Sequence, residues 1–332
     1  MKKWENDVAV LLIFFARPDT FAKVFERVRE AKPKTLLLWQ DGPRKGNEKD
    51  LIGIEACRKI AENIDWECEV HRNYHEENMG CDPSTFLSHK WAFSIVDKCI
   101  VLEDDFLPDL SFFPYCKELL DKYENDERIN HICGFNMVGE SKDCDSDYLF
   151  WYTGSGAWAS WRRVAEGWDS SYSFINDEYS LKNAKARIGN MFNDSERALR
   201  RHAKSGKAFW ESILGFDCIL NNRVAIIPKI NLVSNIGQTE GSTHSSAELK
   251  LLTKNQRKLF NNPAHSMKFP MKHPKYVVPD YGYLRELVKI TAFGKPVLRT
   301  ARKISYLFKC IIYGKWSNIL KAIKRRRTRK II

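Results

Sequence analysis

Continuous apolar runs and amphipathic stretches alternate through the first half of the chain. Val8–Phe15 (VAVLLIFF) is apolar throughout, the pattern of a strand buried on both faces. Thr20–Ala31 places apolar residues at helical spacing behind Asp19 or Thr20 as a cap, and Thr35–Trp39 is a second apolar run. Lys49–Asn63 reads as a helix, Trp66–Arg72 as a strand, Ser84–Val96 as a helix and Cys99–Leu102 as a fourth strand. This β-α-β-α-β-α-β order predicts an α/β fold, with a mostly parallel sheet, right-handed crossovers and helices on its faces. Phe112–Tyr123 is predicted as a further helix and Ile129–Phe135 as a short strand.

Beyond residue 150 the rhythm breaks. Gly154-Ser155-Gly156 marks a turn into Trp158–Glu166, predicted as a helix with its two indoles three residues apart. Residues 170–207 are polar and mostly helical in pattern, as in an inserted lobe. Short strands are expected at Val224–Ile227 and Asn231–Ser234, around Pro228. Pro263, Pro270, Pro274 and Pro279 make 262–281 an extended, turn-rich connection. The chain therefore divides into 1–140, 141–280 and a tail, 281–332.

Composition refines this picture mainly at the tail. A hydrophobic fraction of 43% and an aromatic fraction of 12% describe a globular protein of 332 residues. The formal charge of +12 is unevenly spread: residues 281–332 hold 15 Lys+Arg and one acid, Glu286. The tail is thus +14, and residues 1–280 are −2. From Lys295 onward Leu, Ile, Phe, Tyr and Trp interleave with basic residues, ending in Lys324-Arg325-Arg326-Arg327. A basic amphipathic helix beside a polybasic cluster reads as a surface anchor on an anionic membrane. Nucleic-acid binding is the rival, without a recognisable motif beside the charge, and a merely solvated tail is the third reading. The nine cysteines are scattered without a CxxC pair, which excludes a zinc ribbon and a thioredoxin motif. They read as buried thiols in a reducing compartment. Val8–Ala16 is too short to span a bilayer and lacks a signal-peptide cleavage pattern. The expected location is cytoplasmic, peripheral on the inner face of the cytoplasmic membrane.

The strongest chemical signal is Ile100–Asp105 (IVLEDD), a buried-strand pattern running straight into Glu103, Asp104 and Asp105. Three crowded carboxylates repel one another, and burial adds to the cost. A divalent cation offsets both, and hard oxygen ligands suit Mg²⁺ or Mn²⁺ shared with phosphate oxygens. A solvated turn or helix cap is the plainer reading of the same acids. Arg17-Pro18 closes the first strand and Gln40-Asp41-Gly42 the second, on the rim where ligands of open α/β sheets bind. Asp41 suits a nucleobase imide or ribose hydroxyl, or a tight turn before glycine. No GxGxxG follows the first strand and no GxxxxGK[ST] occurs, so neither a dinucleotide fingerprint nor a P-loop is supported.

Arg17, Gln40-Asp41, Glu103-Asp104-Asp105, Asp109–Tyr115 (DLSFFPY) and His89–Phe93 together resemble nucleotide-sugar-dependent glycosyltransferases of the GT-A fold. The similarity is to bacterial family-2-like enzymes and to Golgi N-acetylglucosaminyltransferases acting on N-glycans. The resemblance implies a Rossmann-like fold with a nucleotide-sugar-binding half (1–140) and an acceptor-binding half (141–280). It implies donor contacts from Arg17, Asp41, Glu103 and Asp104, and a DXD-type metal ligand at Asp105. Gly154–Trp161 (GSGAWASW) is similar to the family's Gly/Trp-rich segment below the acceptor, which points to Gly156, Trp158 and Trp161. Either indole alone also reads as a core aromatic. Trp210-Glu211 matches the family's position for the catalytic base, where Asp is commoner, with Asp217 in reserve. Thr243-His244-Ser245 follows Asn231–Gly237 (NLVSNIG), where relatives carry a histidine near the diphosphate, so His244 is a candidate metal or phosphate ligand or a plain loop residue. The implied activity is inverting, Mn²⁺- or Mg²⁺-dependent transfer from a nucleotide-diphosphate sugar, by family analogy a UDP-sugar. The implied acceptor is a glycan or lipid-linked hydroxyl in surface polysaccharide biosynthesis. The alternatives are a metal-dependent phosphoryl-transfer enzyme, for which no DxDxT nucleophile is present, and a non-catalytic glycan- or nucleotide-binding protein on a membrane surface.

Overall fold

The computed structural model describes residues 7–154, 156–237, 249–260 and 262–319. Its first half follows the predicted alternation: β1 (Ala9–Phe14), α1 (Pro18–Ala31), β2 (Thr35–Gln40), α2 (Glu48–Ala61), β3 (Glu69–Tyr74), α3 (Cys81–Ile95) and β4 (Lys98–Glu103). These four strands are parallel, in the order β3-β2-β1-β4. Helix α1 begins two residues earlier than expected, because Pro18 fits the first helical position, where no amide bond is lost.

After β4 come β5 (Phe106–Pro108), α4 (Phe112–Lys122), β6 (Ile129–Cys133), β7 (Tyr148–Trp151) and β8 (Trp158–Trp161). Then follow α5 (Arg162–Glu166), α6 (Glu178–Ile188), α7 (Asn190–Ser205), α8 (Trp210–Leu220), β9 (Val224–Pro228) and β10 (Val233–Asn235). Helices α9 (Lys254–Arg257), α10 (Tyr281–Thr291) and α11 (Pro296–Ile312) complete the described chain. The main sheet has eight strands, in the order β3-β2-β1-β4-β8-β6-β9-β7, with only β8 and β7 running against the others.

Strand alternation divides the core in two. Val10, Leu12 and Phe14 face α1 and α4 on one side, whereas Leu11 and Ile13 face α3 and α8 on the other. The expected helix over Trp158–Glu166 is corrected here: Trp158–Trp161 is a fully buried antiparallel strand between β4 and β6, and helix begins only at Arg162. A Trp at i and i+3 mimics helical spacing, but in β8 the two rings go to opposite faces, Trp158 to the α8 side and Trp161 to the α4 side. The 170–207 segment is helical as expected, yet Leu181, Ala184, Phe192 and Leu199 pack into the α8-side core and help to close it. All nine cysteines are free thiols.

Candidate functional site

The site grows from the end of β4. Cys99 and Val101 point to the α8-side core and Ile100 and Leu102 to the α1 side, so alternation sends Glu103 toward α8 and Asp104 toward α1. On the α1 side Arg17 meets both aspartates. Its Nε donates to Asp104 Oδ2 at 3.4 Å, its Nη2 to Asp104 Oδ1, and its Nη1 to Asp105 Oδ2 at 3.0 Å. The Phe15 amide adds a bond to Asp104 at 3.3 Å. Burial works against the Arg17 charge, but Asp104 and Asp105 outweigh it and raise its pKa. Burial also raises the Asp104 carboxyl, with Arg17 pulling the other way. Part of the compensation expected from a cation is thus supplied by Arg17.

Asp105 keeps one oxygen uncommitted: its Oδ1 is buried without a hydrogen-bond partner among the described residues. The loop around it is fixed by the small antiparallel pair β5–β10 and by the Ile236 amide, 2.8 Å from the Asp105 carbonyl. Gly237 then passes so close that a Cβ there would collide with the Asp105 carboxylate. Backbone approach of this kind requires glycine.

On the other face, Glu103 is raised well above the usual carboxylate range, first by burial and then by Asp105, Glu211 and Asp104. Glu211 therefore lies within electrostatic reach of the acidic triplet, although more than a hundred residues separate them in sequence. It stands in the first turn of α8, whose entry is fixed by Trp210 stacked on Trp158 with centroids 5.9 Å apart. The edges of Trp158, Trp168 and Trp210 surround His89, which is fully buried with neither ring nitrogen bonded among the described residues. Burial pushes its pKa down to about 3, so it is neutral. Glu211 lines a pocket of about 160 Å³ together with His131, Met137, Thr153, Gly154, Leu214 and Gly215.

The remaining sequence candidates fall elsewhere. Asp41 is a clip: its carboxylate accepts from the amides of Gly42, Met79 and Gly80 and from Asn78 Nδ2, at 2.9–3.1 Å. Asp217 is buried on α8 about two turns below Glu211, bonded to Asn130 at 2.6 Å and Asn221 at 2.9 Å, with Arg223 at 3.3 Å. Burial raises its carboxyl and Arg223 opposes the rise. Trp158 and Trp161 are only 1% and 3% exposed, so neither turns a ring face to solvent. Gly156 has φ +84° and packs against the Phe106 ring, where a Cβ would clash. His244 lies outside the described residues.

His131 and Asn130 escaped the sequence reading. His131 Nε2 lies 2.9 Å from the Gly154 carbonyl and Nδ1 lies 2.8 Å from Asn130 Oδ1, linking the pocket wall through Asn130 to Asp217. Their signal was present as two polar residues interrupting the apolar strand INHIC.

Among the described residues, no three His, Cys, Asp or Glu side chains group closely enough to hold a metal alone. The donor set nevertheless fits a hard cation shared with phosphate. Asp105 offers a buried, unpartnered oxygen, its charge acts on the Glu103 carboxyl, and one or two carboxylates plus phosphate oxygens suit Mg²⁺ or Mn²⁺.

No protein-family model matches the chain, and no curated protein is significantly similar to it. Among solved structures it is similar to a mannosyltransferase of Pyrobaculum calidifontis in complex with GDP-Man and Mn²⁺. That likeness has 11% identity over 66% of this chain and 70% of the other, at a TM-score of 0.38. It is also similar to a UDP-glucose pyrophosphorylase complexed with UDP-glucose, with 10% identity over 71% of this chain and 96% of the other, at a TM-score of 0.36.

Proposed function

We propose that this chain is an inverting, metal-dependent glycosyltransferase of the GT-A type, moving a sugar from a nucleotide-diphosphate donor to a hydroxyl. The acceptor is a glycan or a lipid-linked glycan of surface polysaccharide assembly. One observation carries the reading: Trp210 stacks on Trp158, whose strand partner is Val101, and this brings the start of α8, with Glu211, toward the end of β4, where Asp105 presents an unpartnered oxygen. A candidate base and a candidate cation site thus share one rim.

In this reading Asp105 and Glu103 would be the residues to hold a divalent cation, which would supply Lewis-acid neutralisation of charge on the departing diphosphate. Arg17 fixes the orientation of both aspartates through the guanidinium contacts described above. The acceptor hydroxyl enters the pocket beside Glu211, whose carboxylate removes its proton as the oxygen attacks the anomeric carbon. The bond from that carbon to the diphosphate oxygen breaks, and the configuration inverts in a single displacement. General-base catalysis of this kind contributes roughly 10²–10⁴-fold. His131 holds the Gly154 carbonyl at the pocket wall and keeps the pocket's shape.

The test begins with thermal denaturation in the presence of UDP, GDP, CDP or TDP, with and without Mn²⁺, followed by donor turnover. The expected result is stabilisation by one nucleotide only with metal, lost in Asp105→Asn. Glu211→Gln should keep that stabilisation and lose transfer at least 100-fold, on the order expected for removal of a general base. Absence of stabilisation by every nucleotide would refute the donor assignment. A Glu211→Gln enzyme near wild type beside an inactive Asp217→Asn would move the base to Asp217.

A further inference from the structure

Helix α11 is folded inside out. Its inner side is polar: Arg299 pairs with Asp194 at 2.7 Å, Arg302 donates to the Ile290 and Lys289 carbonyls at 2.7 and 2.5 Å, and Lys309 donates to the Leu252 carbonyl at 2.6 Å. Its outer side is apolar, with Val297 82% exposed, Ile304 63%, Phe308 64% and Ile312 62%. At roughly 100° per residue these four and Ile311 form one stripe about 100° wide along the helix. Trp316, just past the helix, is also exposed. The cationic groups make specific contacts with the body, so this is a defined packing arrangement with the apolar stripe left facing out. A contiguous apolar stripe on a surface marks an interaction site.

The charge of the sequence segment that carries the stripe identifies what covers it. Residues 281–332 contain 15 Lys+Arg against one acid. A second copy of the chain would bring the same +14 against this one. A bilayer bearing anionic headgroups satisfies the stripe and the charge together. No helix among the described residues is long and apolar enough to cross a membrane, so the contact is peripheral.

We propose that the outward face of α11 docks this protein on an anionic lipid bilayer. Val297, Ile304, Phe308 and Ile312 enter the boundary between headgroups and acyl chains, and basic residues of the tail other than the inward-bonded Arg299, Arg302 and Lys309 meet lipid phosphates. The docking is independent of the transferase reading and is tested without turnover. The full chain is floated with vesicles of phosphatidylcholine alone, or containing about 30% phosphatidylglycerol, a level that gives a negative surface potential. Binding is expected to be at least about tenfold stronger to the anionic vesicles and to weaken as salt screens the charge. The double variant Ile304→Glu/Phe308→Glu should lose at least about tenfold in binding with an unchanged circular dichroism spectrum and melting temperature, because both side chains face outward. Replacing Lys324–Arg327 by Gln should weaken binding separately. Equal flotation of wild type and the double variant would overturn the proposal, as would failure of the wild type to bind anionic vesicles. So would a wild-type dimer that the double variant dissociates, which would assign the face to a second copy.

Discussion

Removing the Arg17 guanidinium isolates the energetic role of the clamp. In Arg17→Met the buried Asp104, 3% exposed, would retain the Phe15 amide at 3.3 Å while losing both guanidinium bonds. Breaking a buried ion pair by deleting one partner costs about 3–5 kcal/mol. The Arg17 side chain is 26% exposed, and water reaching it places the expected loss at the lower end, about 3 kcal/mol. For a chain of 332 residues that corresponds to a fall in melting temperature of about 4 °C. The pH dependence has a definite sign. Burial already raises the Asp104 carboxyl, and without Arg17 it would rise further. A carboxyl raised in the folded state penalises folding while it is ionised, and the penalty fades as pH falls toward the unfolded value of about 3.9. The deficit of Arg17→Met should therefore be full at pH 8 and smaller at pH 5. Adding Asp104→Asn to Arg17→Met removes the stranded charge and should recover at least half of the loss. Urea denaturation of wild type, both single variants and the double variant at the two pH values measures this directly. A single variant within about 1 kcal/mol of wild type at pH 8, a pH-independent loss, or no recovery in the double variant would refute the clamp.

Gly237→Ala should displace the Asp105 carboxylate and weaken Mn²⁺ binding, read by electron paramagnetic resonance of free Mn²⁺, by about tenfold, the order associated with disturbed support of a metal ligand. Wild-type affinity in that variant would exclude Asp105 as a ligand. Glu211→Gln removes one of the charges that raise Glu103, so the Glu103 carboxyl should titrate at lower pH in that variant, read by carbon-13 NMR of the glutamate side chains. An unchanged Glu103 titration would place Glu211 too far from Glu103 to act on it.

The parallel half of the fold was legible because its strands are buried on both faces and its helices are amphipathic, so each run carries its own identity. The antiparallel insertion was not. Trp158 and Trp161 gave a helical spacing, and only the partners β4 and β6, far off in sequence, decide that Ala159 and Ser160 are buried as well. For the candidate site, the sequence pattern singled out Arg17, the acidic triplet and Glu211, whose residue types are costly to place at a strand end or helix start without a reason. Which of these interact was not visible. That Arg17 clamps Asp104 and Asp105, that Asp41 is consumed by backbone amides, and that His131 braces a pocket wall all depend on contacts between residues 23 to 88 positions apart.

The last residues of β4 have a consequence for how this protein tolerates change. One strand end sends Asp104 to the face of Arg17 and Glu103 to the face of Glu211, so under the proposed function these neighbouring acids would answer to different selective pressures. Variation at position 104 should register first as lost yield of folded protein. Variation at position 103 should leave abundance intact and alter turnover. A saturation library read separately for expression level and for product would then split between two adjacent codons, and related chains could drift in chemistry at 103 while remaining fixed at 104.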